Sequence, residues 1–177
     1  MPNAVASNYV DLGAHELPVP TIGFYCAGDG FLIQCPCGNN SVFLGNEGCL
    51  NSLGLGAVLL GGGSARITND TVVLTGTQMP SGPCLYFQGD SQAGGGVGVT
   101  FGDGLLCVAG SILRLGIVSN VGGSSQFPSG GPTLSAAGLV TTPGSVRNYQ
   151  IWYRDAAAFC TSATNNLSSA ATITWEL

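Results

Sequence analysis

The segment Asn148-Tyr149-Gln150-Ile151-Trp152-Tyr153 gives the clearest indication of the fold. It begins as an alternation of polar and apolar residues, which is the period-two pattern of a strand with one buried face. Residues 170–175 end the chain in the same rhythm, and further short candidates lie at 56–60, 65–67, 71–75, 85–88, 105–108 and 111–118. Short strands separated by turn residues predict an all-β fold, an antiparallel β-sandwich of the jelly-roll type.

Two stretches interrupt this pattern. Residues 26–49 hold four cysteines and five glycines, which predicts a disulfide-stapled N-terminal loop region. Residues 119–144 are rich in Gly, Ser and Pro, which predicts long surface loops around one short strand. Helical signals are few, and 155–159 is a candidate for one turn. We therefore divide the chain into an extended arm, 1–22, and a disulfide-stapled sandwich domain, 23–177.

The chain carries very little charge. It has four arginines, no lysine and nine acidic residues, and charged residues make up 7% of the sequence, against about a quarter in ordinary soluble domains. Four scattered arginines cannot neutralise a run of phosphates, so nucleic acid is an unsuitable partner, and no apolar stretch is long enough to span a membrane. A nearly neutral surface repels copies of itself poorly, which favours self-association.

Seven cysteines in a chain of this size indicate a disulfide framework made in an oxidising compartment. Cys107 lies in a strand pattern and Cys160 follows another, so we predict a bridge between them. The cysteines at 26, 35, 37 and 49 should then form two bonds, either 26–35 with 37–49 or 26–37 with 35–49. Cys84, among apolar neighbours, is the expected buried thiol.

Several motifs occur together in a fixed order. They are Cys26-x2-Asp29-Gly30, Cys35-Pro36-Cys37-Gly38-Asn39, Gly48-Cys49-x-Asn51-Ser52, Tyr86-Phe87-Gln88-Gly89, Phe101-Gly102-Asp103-Gly104-Leu105-x-Cys107, Tyr149-Gln150-x-Trp152-Tyr153-Arg154-Asp155 and Phe159-Cys160-Thr161. This combination, over residues 23–176, resembles a cysteine-containing, β-rich domain found near the C-termini of large secreted bacterial proteins. The resemblance implies an extracellular or cell-surface location and a module without catalytic activity. Cys84 departs from the pattern of that domain.

Candidate chemistry is sparse. The single histidine, His15, has no histidine partner for zinc and no nucleophile motif to serve, so we expect no catalytic residue. Asp29 and Asp103 each lie beside glycines, where an aspartate most often caps its own turn. Calcium is the alternative for these two residues, because hard cations prefer carboxylates and backbone carbonyls of tight loops. No other cofactor is expected.

The aromatic residues Trp152, Tyr153 and Trp175 allow two interpretations. Aromatic rings on a surface would form a platform on which sugar rings stack, which predicts a carbohydrate-binding or adhesion module. Aromatic residues on alternating strands more often fill the core of a sandwich. The sequence is compatible with both interpretations.

The arm contains Val5, Tyr9, Val10 and Leu12, residue types that suit a strand. Pro18 and Pro20 keep its later part extended and prevent it from being an inner strand. The arm either packs on its own domain as an edge strand or adds a strand to a neighbouring copy. The second arrangement would build a filament.

The sequence as a whole predicts an extracellular structural module that assembles with copies of itself into a filament, sheet or surface layer. A carbohydrate-binding or adhesion module is the alternative, with polysaccharide as the partner.

Deletion of residues 1–20 distinguishes the two roles of the arm. If the arm is donated to a neighbour, the truncated protein keeps the unfolding temperature of the full chain but no longer assembles, as measured by sedimentation velocity. Unchanged assembly after deletion would contradict the donated arm.

Overall fold

The computed structural model describes residues 22–157 and 159–177, and these form short antiparallel strands joined by glycine-rich loops. The strands are β1 Ile22–Tyr25, β2 Val58–Gly62, β3 Val73–Thr77, β4 Gly82–Gly89, β5 Ser91–Gln92, β6 Val99–Phe101, β7 Gly104–Leu106, β8 Val108–Ala109, β9 Leu113–Asn120, β10 Ser125–Phe127, β11 Val146–Arg154, β12 Asn165–Leu167 and β13 Ala170–Thr174. One α-helix, α1, spans Leu134–Ala137, and two 3-10 turns span Ile67–Asn69 and Ala93–Gly96.

The larger sheet is organised around β11, the strand on which the fold prediction depends. Its strand order is β1-β13-β11-β4-β9, and β12 pairs with the C-terminal half of β11, beyond the part that pairs with β13. All of these pairings are antiparallel. Among the described strands β9 pairs only with β4, so β1 and β9 form the two edges of this sheet.

A second sheet, β10-β3-β2, covers one face of the larger sheet. The main core lies between them and contains Leu59 and Leu74 from the small sheet with Tyr149, Ile151 and Ile173 from the large one. Burial of this apolar surface is the principal favourable contribution to folding, at about 25 cal/mol per Å². The antiparallel all-β sandwich class is confirmed, and the jelly-roll topology stays a prediction.

The two sheets approach closely where β3 has a glycine. A Cβ atom on Gly76 would lie within van der Waals overlap of Ile151 and Met79, so no larger residue fits without a shift. Next to it, the Tyr86 hydroxyl accepts a hydrogen bond from the Gly76 amide at 3.1 Å and donates to the Ser125 carbonyl at 2.9 Å. Burial raises the pKa of Tyr86 to about 12. This one phenol therefore connects three strands of the sandwich.

A β-bulge interrupts the pairing of β4 with β9. Phe87 pairs with Arg114 and Tyr86 with Gly116, so Leu115 has no partner on β4. Side chains alternate between faces along a strand, and an extra residue shifts that alternation by one. As a result Arg114 and Ile117, three residues apart, lie on the same outer face of the sheet.

The local structure differs from the sequence prediction at three places. Residues 65–67 form no strand, because Arg66 makes only a single bridge to Glu176 before a 3-10 turn begins. The expected loop 119–144 contains the predicted short strand, β10, and also α1, which is capped by the Thr133 hydroxyl. The described part of 155–159 is not helical, and Asp155 instead accepts hydrogen bonds from the backbone amide and hydroxyl of Ser52.

The disulfide prediction was correct for the six cysteines involved but wrong for their pairing. The bonds are Cys26–Cys107, Cys35–Cys49 and Cys37–Cys160, with Cα–Cα distances of 6.0, 5.8 and 5.6 Å. The expected Cys107–Cys160 bridge does not form, and of the two alternatives for the remaining cysteines only the 35–49 bond occurs.

The physical reason lies in the strand pairing. Cys26 directly follows β1, and Cys107 lies between β7 and β8. The two cysteines belong to one buried cluster, against which Tyr25 of β1 also packs. Two long-range bridges, Cys26–Cys107 and Cys37–Cys160, therefore connect the loop region to the rest of the domain, and only Cys35–Cys49 lies within the loop region.

Among the cysteines, all of which lie in the described part of the chain, Cys84 is the one without a disulfide partner, and it is completely buried on β4, as expected. Burial raises the pKa of its thiol, and its sulfur lies 3.2 Å from the Ser125 hydroxyl. A buried thiol with a raised pKa contains little thiolate and reacts slowly.

Peptide mapping under non-reducing conditions should yield the three cross-linked peptide pairs named above. Iodoacetamide should label Cys84 only after denaturation, because the native fold excludes the reagent and suppresses the thiolate. A 107–160 cross-link, or rapid labelling of Cys84 in the native protein, would contradict this assignment.

Candidate functional site

The outer face of the large sheet carries a continuous apolar row across four strands. Ile117 of β9 pairs with Leu85 of β4, Leu85 pairs with Trp152 of β11, and Trp152 pairs with Leu167 of β12. Directly opposed residues on neighbouring strands present their side chains to the same face. The sequence period of these strands thus puts one row of apolar side chains outside the main core.

This row is the floor of an open groove of about 530 Å³. Phe101 and Leu106 of the β6–β7 hairpin line it, as does Ile112 before β9. Ile117 is 75% exposed, so the groove is accessible at the β9 edge. Arg114, opposite Phe87, is the charged residue among the lining side chains. The groove therefore presents a wide apolar surface with one positive charge.

A second exposed apolar surface, here called the loop cluster, lies in the disulfide-stapled region. Its members are between 59% and 79% exposed, and they are Phe31, Leu32, Val42, Phe43 and Leu44. The rings of Phe31 and Phe43 contact edge to face, with centroids 5.6 Å apart. None of these residues lines the groove. Contiguous exposed apolar surface of this kind typically marks a site of interaction.

Asp29 joins the two segments that carry the loop cluster. Its Oδ1 accepts a hydrogen bond from the Phe31 amide at 3.0 Å, and its Oδ2 accepts one from the Leu44 amide at 3.4 Å. The turn role predicted for Asp29 is therefore observed, and its carboxylate puts a negative charge at the base of the loop cluster.

Asp103 is fully buried and has a different environment. Its Oδ1 accepts a hydrogen bond from the Thr161 amide at 2.7 Å, whereas Oδ2 is buried and has no hydrogen-bond partner among the described residues. Within the described residues, no group of three or more His, Cys, Asp or Glu side chains is arranged so that it could hold a metal ion. Calcium binding at Asp29 or Asp103 stays a prediction from the sequence.

Buried amide side chains, which we did not single out from the sequence, hold the stapled region against the sheet. The Gln150 side chain accepts a hydrogen bond from the Cys107 amide at 2.9 Å and donates to the carbonyls of Leu105 and Ser168 at 2.8 and 2.7 Å. Asn39 donates to the carbonyls of Leu50 and Asp103 at 2.7 and 2.9 Å. In the sequence, Gln150 lies among aromatic and apolar residues of a predicted strand. A polar side chain in such a position is the signal that could have identified it as a buried hydrogen-bonding residue.

Two of the three aromatic residues proposed as a sugar platform are in the core. Tyr153 and Trp175 are buried, and the Trp175 indole Nε1 donates to the Tyr149 hydroxyl at 3.0 Å. Trp152 faces the groove on the opposite side of the sheet. The interpretation that these residues fill the core is confirmed for Tyr153 and Trp175. The three rings form no joint platform, because adjacent residues on a strand point to opposite faces.

The proposed assembly arm, with Val5, Tyr9, Val10 and Leu12, lies outside the described residues. The described part of the chain begins at Ile22, in edge strand β1. The opposite edge, β9, borders the groove. Within residues 22–157 and 159–177, no helix is long and apolar enough to cross a membrane.

Comparison of the chain with models of protein families, with curated proteins and with solved structures found no match. The features of the described residues that bear on function are therefore the groove and the loop cluster.

The fluorescence of the two tryptophans should distinguish the accessible groove, which contains Trp152, from the buried core, which contains Trp175. Trp152→Phe should remove most of the emission that acrylamide quenches, since the remaining Trp175 is buried. The matched Trp175→Phe variant should keep a strongly quenched signal from Trp152. Equal quenching of the two variants in Stern–Volmer plots would contradict an accessible groove.

Proposed function

We propose that this protein is an extracellular structural module that assembles with copies of itself into a filament, sheet or surface layer, and that it has no catalytic role. The observation that carries this proposal is the presence of two separate exposed apolar surfaces on one chain, the groove and the loop cluster. Monomeric proteins seldom expose such surfaces, because the hydration of apolar surface is unfavourable and association removes that surface from water.

The electrostatics support the same proposal. The chain has a formal net charge of −5 from only thirteen charged residues, so the surface offers little like-charge repulsion between copies. Many copies of a highly charged protein would repel one another in a dense assembly. A sparsely charged surface reduces this cost and leaves apolar contacts to determine association.

The three disulfides indicate an oxidising environment, and this supports an extracellular or cell-surface location. A structural material outside the cell is not renewed by folding chaperones or protected by cellular reductants. Cross-links that connect distant parts of the chain limit its unfolded state and so stabilise the native one.

Carbohydrate binding would have to use Trp152 alone among the three aromatic residues first considered. Tyr153 and Trp175 are buried and cannot contact a sugar. The groove also offers few side-chain hydrogen-bond partners for the hydroxyl groups of a polysaccharide, since Arg114 is the charged side chain of its lining and Trp152 adds a single indole N–H. The observations therefore favour a protein partner with an apolar surface.

The purified protein should associate as its concentration rises, and electron microscopy should show regular filaments or sheets. Sodium sulfate should strengthen association, because excluded salts favour apolar burial, whereas sodium chloride at the same ionic strength controls for charge screening. Sedimentation velocity over a dilution series measures the effect.

A protein that stays monomeric at all concentrations and in sulfate would contradict the proposal. Dispersed particles that are retarded in a gel containing polysaccharide would instead support the binding-module alternative.

A further inference from the structure

Resting on the proposed self-assembly, we propose that the contact between copies is the insertion of the loop cluster of one copy into the groove of the next. The occupant of the groove is thus a second copy of this chain, and Phe31 and Phe43 are its central residues. The loop cluster and the groove are then the two surfaces through which the proposed assembly forms.

The sizes of the two surfaces agree. An apolar cavity of about 150 Å³ accommodates one benzene molecule, so a groove of about 530 Å³ has room for roughly three groups of that size. The rings of Phe31 and Phe43, with one leucine side chain of the loop cluster, would fill it. Each aromatic side chain contributes about 150–250 Å² of buried surface, which is the usual size of an interface anchor.

Their charges are also complementary. Arg114 is the charged residue of the groove, and Asp29 lies at the base of the loop cluster. A docked orientation that brings the Asp29 carboxylate close to the Arg114 guanidinium would pair these opposite charges. Such a pair at an interface rim contributes little affinity but fixes the orientation of the partners.

Disulfide bonds and hydrogen bonds hold the backbone that carries the loop cluster in a fixed conformation before binding. Cys35–Cys49 and Cys37–Cys160 cross-link the segment that carries it, and Asp29 joins residues 31 and 44 through their amides. The rings therefore lose little conformational freedom on binding, which is the main advantage of a preorganised anchor.

A contact of this kind can propagate from copy to copy. The groove and the loop cluster share no residue, so a copy can use both at once. Contacts between two different surfaces are heterologous, and they generate a filament or a closed ring. A symmetric dimer, in contrast, would use the same surface on both partners and stop there.

The test uses two variants of the full chain. The loop variant is Phe31→Ser with Phe43→Ser, and the groove variant is Ile117→Asp with Phe101→Ser. All four side chains are between 46% and 75% exposed, so both variants should keep the circular dichroism spectrum and unfolding temperature of the wild type. The matched controls are Leu139→Ser and Val121→Asp, whose side chains are 72% and 75% exposed and belong to neither surface.

Each of the two variants should weaken association by more than tenfold, as expected for loss of central anchors, and both should sediment as monomers where the wild type assembles. The controls should assemble like the wild type. Arg114→Gln should weaken association by about two- to fivefold, the range of an exposed ion pair.

A mixture of the loop variant and the groove variant gives the decisive result. The loop variant keeps an intact groove and the groove variant keeps an intact loop cluster, so one contact is possible per pair. The equimolar mixture should form a heterodimer and nothing larger. This result also demonstrates that both variants are folded and competent.

Three outcomes would overturn the inference. Variants that assemble like the wild type would exclude both surfaces, and the proposed function would still stand. A mixture that remains monomeric would exclude their mutual contact. Loss of assembly on deleting residues 1–20, with both variants unaffected, would assign the contact to the arm. A wild type that never assembles would contradict the proposed function itself.

Discussion

This molecule depends on one constraint. A long region with almost no regular structure must find hydrogen-bond partners for its backbone amides and carbonyls. Between β1 and β2 lie more than thirty residues that form no named strand or helix, so their amides and carbonyls need other partners. Buried side-chain amides supply many of them, among them those of Asn39, Asn51 and Asn166. A buried polar group without a partner costs about 1–3 kcal/mol, so these amides are required for the loop to pack at all.

Gln150 performs the same task at the junction with the sheet. It lies on β11, at the centre of the larger sheet, and its side chain accepts a hydrogen bond from the Cys107 amide and donates one to the Leu105 carbonyl, next to the Cys26–Cys107 bridge. The disulfides limit how far the loops can separate from the sheet, whereas the amides determine the conformation in which they pack. A covalent bond alone would leave a tethered but irregular segment. The two together hold an apolar loop surface in a fixed position.

The class of fold could be predicted from the sequence, because period-two alternation at 148–153 and 170–175 is a local signal that the tertiary structure keeps. The disulfide partners could not, since they depend on which strand ends meet in space, and strand order is not a local property. The groove illustrates the same limit. Residues Ile117, Leu85, Trp152 and Leu167 belong to four strands, and their row exists only in the observed register. The separation of Trp152 from Tyr153 was predictable, because adjacency on a strand already implies opposite faces.

The bulge at Leu115 also has a consequence for how this surface can change in evolution. Before the bulge the outward-facing positions of β9 are even-numbered, as for Arg114, and after it they are odd-numbered, as for Ile117. Loss or gain of a single residue in this strand would exchange the two faces on one side of the bulge, turning Val118 outward and Ile117 into the core. Related chains can therefore alter the groove readily by substitution, but any change in the length of β9 would destroy the groove and the sandwich core together.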